Sequence, residues 1–89
     1  MAEIVMYTRS WCGFCQRAKA LLDEKGQRYT EHDVELDPAR EAEMLRRAKH
    51  TSVPQIFIGE VHIGGYDDMA ELERRGELDK LLAADGGQA

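Results

Sequence analysis

Cysteine is scarce in this chain, and the two present, Cys12 and Cys15, are separated by two residues. A secreted domain held by covalent staples carries more bridges at wider spacings, so that class is excluded. A structural zinc site needs four ligands, and one Cys-x-x-Cys supplies two. His32, His50 and His62 are scattered, without the short spacing of a paired ligand set, and read as surface histidines. No metal is expected from this pattern. There is no long apolar run, which excludes a membrane-spanning helix. The opening Met1-Ala2-Glu3-Ile4 has no basic n-region and no apolar leader, so the expected location is the cytoplasm. A basic surplus is missing too. Twelve Lys and Arg against 17 Asp and Glu give a net charge of −5, against broad electrostatic binding of nucleic acid.

What is present suits one domain of ordinary globular composition, expected over residues 1–84, with 85–89 a frayed tail. Ile4-Val5-Met6-Tyr7 reads as a short buried strand. Phe14, Ala18, Leu21 and Leu22 recur at helical spacing from Gly13 to Lys25, and Gly26 supplies a stop. Arg28 to Val34 predicts a second strand, with Tyr29 inward. Asp37-Pro38 is an N-cap followed by proline at the first helical position, opening a helix to about Lys49 with Ala42, Leu45 and Ala48 facing the core. Gln55–Ile58 and Val61–Ile63 flank Gly59-Glu60 as a hairpin. Asp67 is expected to cap a third helix carrying Met69 and Leu72. After Gly76, Leu78, Leu81 and Leu82 predict a last helical segment. The order β-α-β-α-β-β-α-α implies an α/β fold, a four-stranded mixed sheet with helices on its faces.

The chemistry concentrates where the Cys-x-x-Cys falls, between a strand and a helix in a βαβ context, the setting of a redox pair. Cys12 is expected at the helix N-terminus, where unpaired N–H groups and the helix dipole favour an anion, and the thiolate is the nucleophilic form. Cys15, one turn further in, is expected to be less exposed and to attack a mixed disulfide formed at Cys12. Two small buried hydrophobes would be the plain structural alternative; Trp11 and Gly13 beside the motif favour an exposed loop. Between Arg9 and Arg28 five basic and two acidic residues leave a local balance of +3 around both cysteines. Val53-Pro54 before a strand is compatible with a cis peptide, although a trans proline starting an edge strand is the commoner outcome for an arbitrary proline. Gly64-Gly65-Tyr66-Asp67-Asp68 reads evenly as a carboxylate-binding helix start or as a hairpin exit and cap.

Three blocks together resemble the glutaredoxin family, most closely its small bacterial dithiol members. They are Tyr7-Thr8-Arg9-Ser10-Trp11-Cys12-Gly13-Phe14-Cys15, Ser52-Val53-Pro54-Gln55-Ile56-Phe57-Ile58 and Gly64-Gly65-Tyr66-Asp67-Asp68. The resemblance implies a thioredoxin-like fold with Pro54 cis, and an enzyme that reduces disulfides and glutathione mixed disulfides through Cys12 and Cys15. It implies glutathione as co-substrate: Val53 beside Pro54 meeting its cysteinyl part, Gly65, Tyr66 and Asp67 its γ-glutamyl end, Arg9 and Gln55 its glycine carboxylate, and Phe14 standing beside the site. The implied partners are glutathione and disulfide-bearing or glutathionylated proteins, met by a monomer.

The motif departs from the family's usual Cys-Pro-Tyr-Cys, with Gly13 for the proline and Phe14 for the tyrosine. It is also similar to the Cys-Gly-Phe-Ser of monothiol members, except for Cys15. Some dithiol relatives lacking the motif proline also bind a [2Fe-2S] cluster between two subunits, with glutathione as co-ligand. The alternative implied is therefore a dimeric cluster carrier ligated through Cys12. The extended loop of the monothiol class is missing before Cys12, which favours the reductase. A redoxin fed by thioredoxin reductase is a third reading, opposed by Asp67 and the Gly64-Gly65 loop.

Overall fold

A computed structural model describes residues 3–83, and the tail expected at 85–89 lies outside the described residues. Eight elements follow in the expected order: β1 (Ile4–Thr8), α1 (Gly13–Glu24), β2 (Thr30–Asp33), α2 (Pro38–Ala48), β3 (Gln55–Ile58), β4 (Val61–Gly64), α3 (Tyr66–Arg74) and α4 (Leu78–Ala83). The strands form one mixed sheet in the order β2-β1-β3-β4. β1 runs parallel to β2 and antiparallel to β3, which pairs antiparallel with β4.

Alternation along the central strands sends side chains to two faces. Ile4, Met6, Ile56 and Ile58 pack with Ala18 and Leu22 of α1, Met69 of α3 and Leu78 and Leu82 of α4. Tyr7 and Phe57 point the other way, against Val34 and against Met44 and Ala48 of α2. Gly76 adopts φ +72° between α3 and α4, a left-handed turn that glycine accepts without strain.

Three expectations need correction. α2 buries Met44 and Ala48, whereas Ala42 and Leu45 face outward. The polar end of Tyr7 decides this. Its hydroxyl donates to Glu43 and accepts from Arg47 Nη1 at 2.8 Å, and the Arg47 guanidinium lies 4.0 Å from the Phe57 ring centroid. The helix therefore turns charged residues toward the sheet beside Met44. β2 is shorter than expected, because only Thr30–Asp33 pair with β1. Asp67 does not cap α3. Gly65 is the N-cap residue, and its N–H donates to Asp68 Oδ2 at 2.9 Å. That leaves the Asp67 side chain exposed in the first turn.

Candidate active site

β1 delivers the chain to a short loop, Arg9 to Trp11, and α1 begins at once. Cys12 is the N-cap residue of α1, with an extended backbone (φ −98°, ψ 107°). Its Sγ accepts the Cys15 backbone N–H at 3.0 Å, as a serine or aspartate oxygen does at other helix starts. A sulfur in that position is offered one of the helix's unpaired donors. The Cys12 thiol in turn faces the Val53 carbonyl at 3.6 Å, and the Val53-Pro54 peptide is cis, as the resemblance implies.

The two thiols are both free but differ in environment. Cys12 is partly exposed, whereas Cys15 is 0 % exposed. Burial pushes the Cys15 thiol up to about 12, and its hydrogen bond with Cys12 adds to this; the Arg9 backbone and the Lys19 charge oppose it. Cys15 is thus the less exposed of the two, as its place one turn into the helix predicts, and it holds its proton.

Beside Cys12 opens a cavity of about 430 Å³, whose walls include Phe14, Val53, Pro54, Gln55, Gly65, Tyr66 and Asp67. Seven of the residues singled out in the sequence are therefore gathered at one place, from α1, the loop before β3, β3 itself and the start of α3. Phe14, expected on the helix's core-facing repeat, is 50 % exposed and stacks on Tyr66, the ring centroids 6.3 Å apart at 24°. Gly64, at φ +110°, brings the chain to α3; a Cβ there would collide with the Asp68 carboxylate. Gly65 passes close to the Pro54 carbonyl, so the two loops form adjoining walls.

Arg9 does not line this cavity. Its guanidinium is paired with Glu41 of α2 at 2.9 Å. Gln55 is buried, and its amide is committed. Nε2 donates to the Ser52 carbonyl at 2.9 Å and hydroxyl at 3.2 Å, and Oε1 meets His62 Nε2 at 2.7 Å. Ser52, His50, His62 and Asp68 also line the cavity, though the sequence had suggested only surface roles for the histidines. Burial holds the His62 imidazole below its ordinary range, helped by the charges of His50 and Arg47 and opposed by Asp68. The signal that could have found His62 is hairpin register: a two-residue turn at Gly59-Glu60 sets His62 opposite Phe57, where the rings stack at 4.7 Å.

Among the described residues, no group of three or more His, Cys, Asp or Glu side chains is arranged to hold a metal ion. Of the two cysteines only Cys12 is accessible, so a single chain offers one thiolate and its donors do not by themselves fit an iron–sulfur cluster. Among the described residues no helix is long and apolar enough to cross a membrane.

The glutaredoxin family model matches residues 4–63, which span β1 through most of β4 and both cysteines. The chain belongs to the glutaredoxin family. It is 50 % identical over 84 residues to a glutaredoxin of Pseudomonas aeruginosa, covering 94 % of this chain and all of that one. It is 48 % identical to glutaredoxin 3 of Escherichia coli over 92 % of this chain and 99 % of the relative. Among solved structures it is similar to a buckwheat glutaredoxin–glutathione complex, with a TM-score of 0.82 and 34 % identity over 91 % of this chain and 76 % of that chain. As a glutaredoxin the protein is a thiol–disulfide oxidoreductase on a thioredoxin-like fold.

Proposed function

We propose that this glutaredoxin takes its electrons from glutathione and reduces glutathione mixed disulfides on proteins, along with small disulfides, acting as a monomer in the cytoplasm. The observation that carries the reading is the juxtaposition of an accessible N-cap sulfur, Cys12, with a cavity walled by Val53, Tyr66 and Asp67. The buckwheat relative solved with glutathione supports the same ligand here. A reducing compartment supplies the thiol this requires.

The exchange balances without any further reagent. The Cys12 thiolate attacks the glutathione sulfur of a protein mixed disulfide. A bond forms between Cys12 and glutathione, the old S–S bond breaks, and the protein leaves as a thiolate that takes a proton. A second glutathione thiolate then attacks the glutathione sulfur on Cys12, producing glutathione disulfide and restoring the Cys12 thiolate. In the alternative second half, Cys15 gives up its proton and attacks Cys12, closing the intramolecular disulfide and releasing glutathione. In this branch Cys15 must be deprotonated from a buried position.

In this reading the Val53 backbone aligns the cysteinyl part of the ligand. The γ-glutamyl end lies against Gly65, the backbone of Tyr66 and the Asp67 carboxylate, beneath the Phe14–Tyr66 stack. A helix start suits the γ-glutamyl carboxylate, and Asp67 suits its ammonium. Arg9 takes the glycine carboxylate, and Gln55, bonded to Ser52 and His62, braces the loop below. The test is NADPH oxidation during reduction of a glutathione mixed disulfide, coupled either to glutathione plus glutathione reductase or to thioredoxin reductase. Turnover with the first couple alone is expected; turnover with the second alone removes glutathione from the mechanism.

A further inference from the structure

Arg9 is the cation assigned to the ligand's glycine carboxylate, yet it already has a carboxylate. Glu41, in the first turn of α2, holds Arg9 Nη2 at 2.9 Å, with the two side chains 33 % and 44 % exposed. The cavity itself is lined by the Asp67 and Asp68 carboxylates and by no lysine or arginine. Of its two imidazoles, His62 is bonded to Gln55 and held toward its neutral form. A ligand carrying two carboxylates therefore finds no free guanidinium or ammonium in the cavity. To meet Arg9 it must draw that guanidinium away from Glu41.

We propose that Glu41 is a specificity-determining residue that competes with the glycine carboxylate of glutathione for Arg9. This rests on the reading that Arg9 binds that carboxylate. In the free protein the Arg9–Glu41 pair is formed; on binding, one carboxylate replaces the other at the guanidinium. The exchange sets affinity by a difference between two similar ion pairs rather than by the full strength of one. A partly exposed pair of this kind is weak, so losing the competitor improves binding about two- to fivefold. The same exchange favours ligands that end in a carboxylate at this position, since a neutral end cannot displace Glu41.

The test uses S-methylglutathione, which cannot undergo exchange, and its glycine-amide analogue, titrated by NMR into the full chain. Glu41→Gln is expected to tighten S-methylglutathione about two- to fivefold, leave the amide analogue unchanged, and lose its effect in an Arg9→Met background. If Arg9→Met weakens binding but Glu41→Gln does nothing, the competition is overturned while Arg9 keeps its role. If Glu41→Gln tightens both ligands equally, the effect is general charge and the proposal falls. If neither substitution changes binding, Arg9 is not the glycine-carboxylate site, and the reading beneath the proposal falls with it.

Discussion

The Cys12 sulfur accepts the backbone N–H of Cys15 at 3.0 Å, while the side chain of Cys15 is closed off from solvent. One residue thus supplies its amide to its partner's sulfur and keeps its own sulfur in the core. The asymmetry arises from one turn of helix: the N-cap position looks out toward the Val53 carbonyl, and the third helical position looks in toward the sheet.

This asymmetry predicts selective alkylation. Brief treatment of the reduced native protein with iodoacetamide at pH 7 to 8 should place a single adduct on Cys12, read by peptide mass spectrometry. Equal labelling of Cys15 would contradict a buried thiol raised to about 12.

It also predicts an unequal mutational outcome. Cys12→Ser should abolish glutathione-coupled turnover, whereas Cys15→Ser should keep much of it, because glutathione can discharge the mixed disulfide at Cys12 directly. Equal loss in both variants, measured in the same coupled assay, would rule out the monothiol route.

Asp67 and Asp68, adjacent in sequence, should separate cleanly. Asp68→Ala removes the acceptor of the Gly65 N–H and should cost about 1 kcal/mol in urea unfolding. Asp67→Ala should change stability by less than about 0.5 kcal/mol while raising KM for the glutathione mixed disulfide. A large stability loss at Asp67 with normal KM would reverse the two assignments.

Acid should destabilise the protein through two carboxylates. The Tyr7 hydroxyl holds the Glu43 carboxyl below its ordinary range, against some burial and with help from Arg40. Burial pushes Glu31 up, but its bonds to Lys19 and Thr8 outweigh this and leave it lowered. A carboxyl lowered by folding contributes stability that is present above its unfolded value and lost as pH falls through the folded one. The unfolding midpoint in urea should therefore fall as pH drops below about 4.5, and Glu31→Gln and Glu43→Gln should flatten that slope. An unchanged slope in both variants would show that neither carboxyl contributes.

Met44→Ala should cost about 2 to 5 kcal/mol, and Leu45→Ala less than about 1 kcal/mol, in the same unfolding experiment. The reverse order would mean that α2 packs on the face its apolar pattern suggested.

Leu45 illustrates why part of the fold was hidden in the sequence. Local signals suffice where a single element decides. Asp37-Pro38 opens α2 through its own side-chain cap, with Asp37 accepting the Ala39 N–H at 3.1 Å, and Gly59-Glu60 turns the hairpin. The face of α2 depends on something 36 residues away, the Tyr7 hydroxyl, which draws Glu43 and Arg47 toward the sheet and rotates Leu45 outward. Apolar pattern alone does not register a buried polar group in another element that needs partners.

The site divides the same way. Cys12 and Cys15 at a strand-to-helix junction, the Val53-Pro54 step and the Gly64 to Asp68 run were legible as chemistry, because each is a short stretch whose backbone and side chains act locally. Only the folded sheet decided that Phe14 stacks on Tyr66. It also gave Arg9 to Glu41 before any ligand arrives. Those are contacts between residues far apart in the chain, fixed by strand register and by which helix face meets the sheet, and no local pattern carries that information.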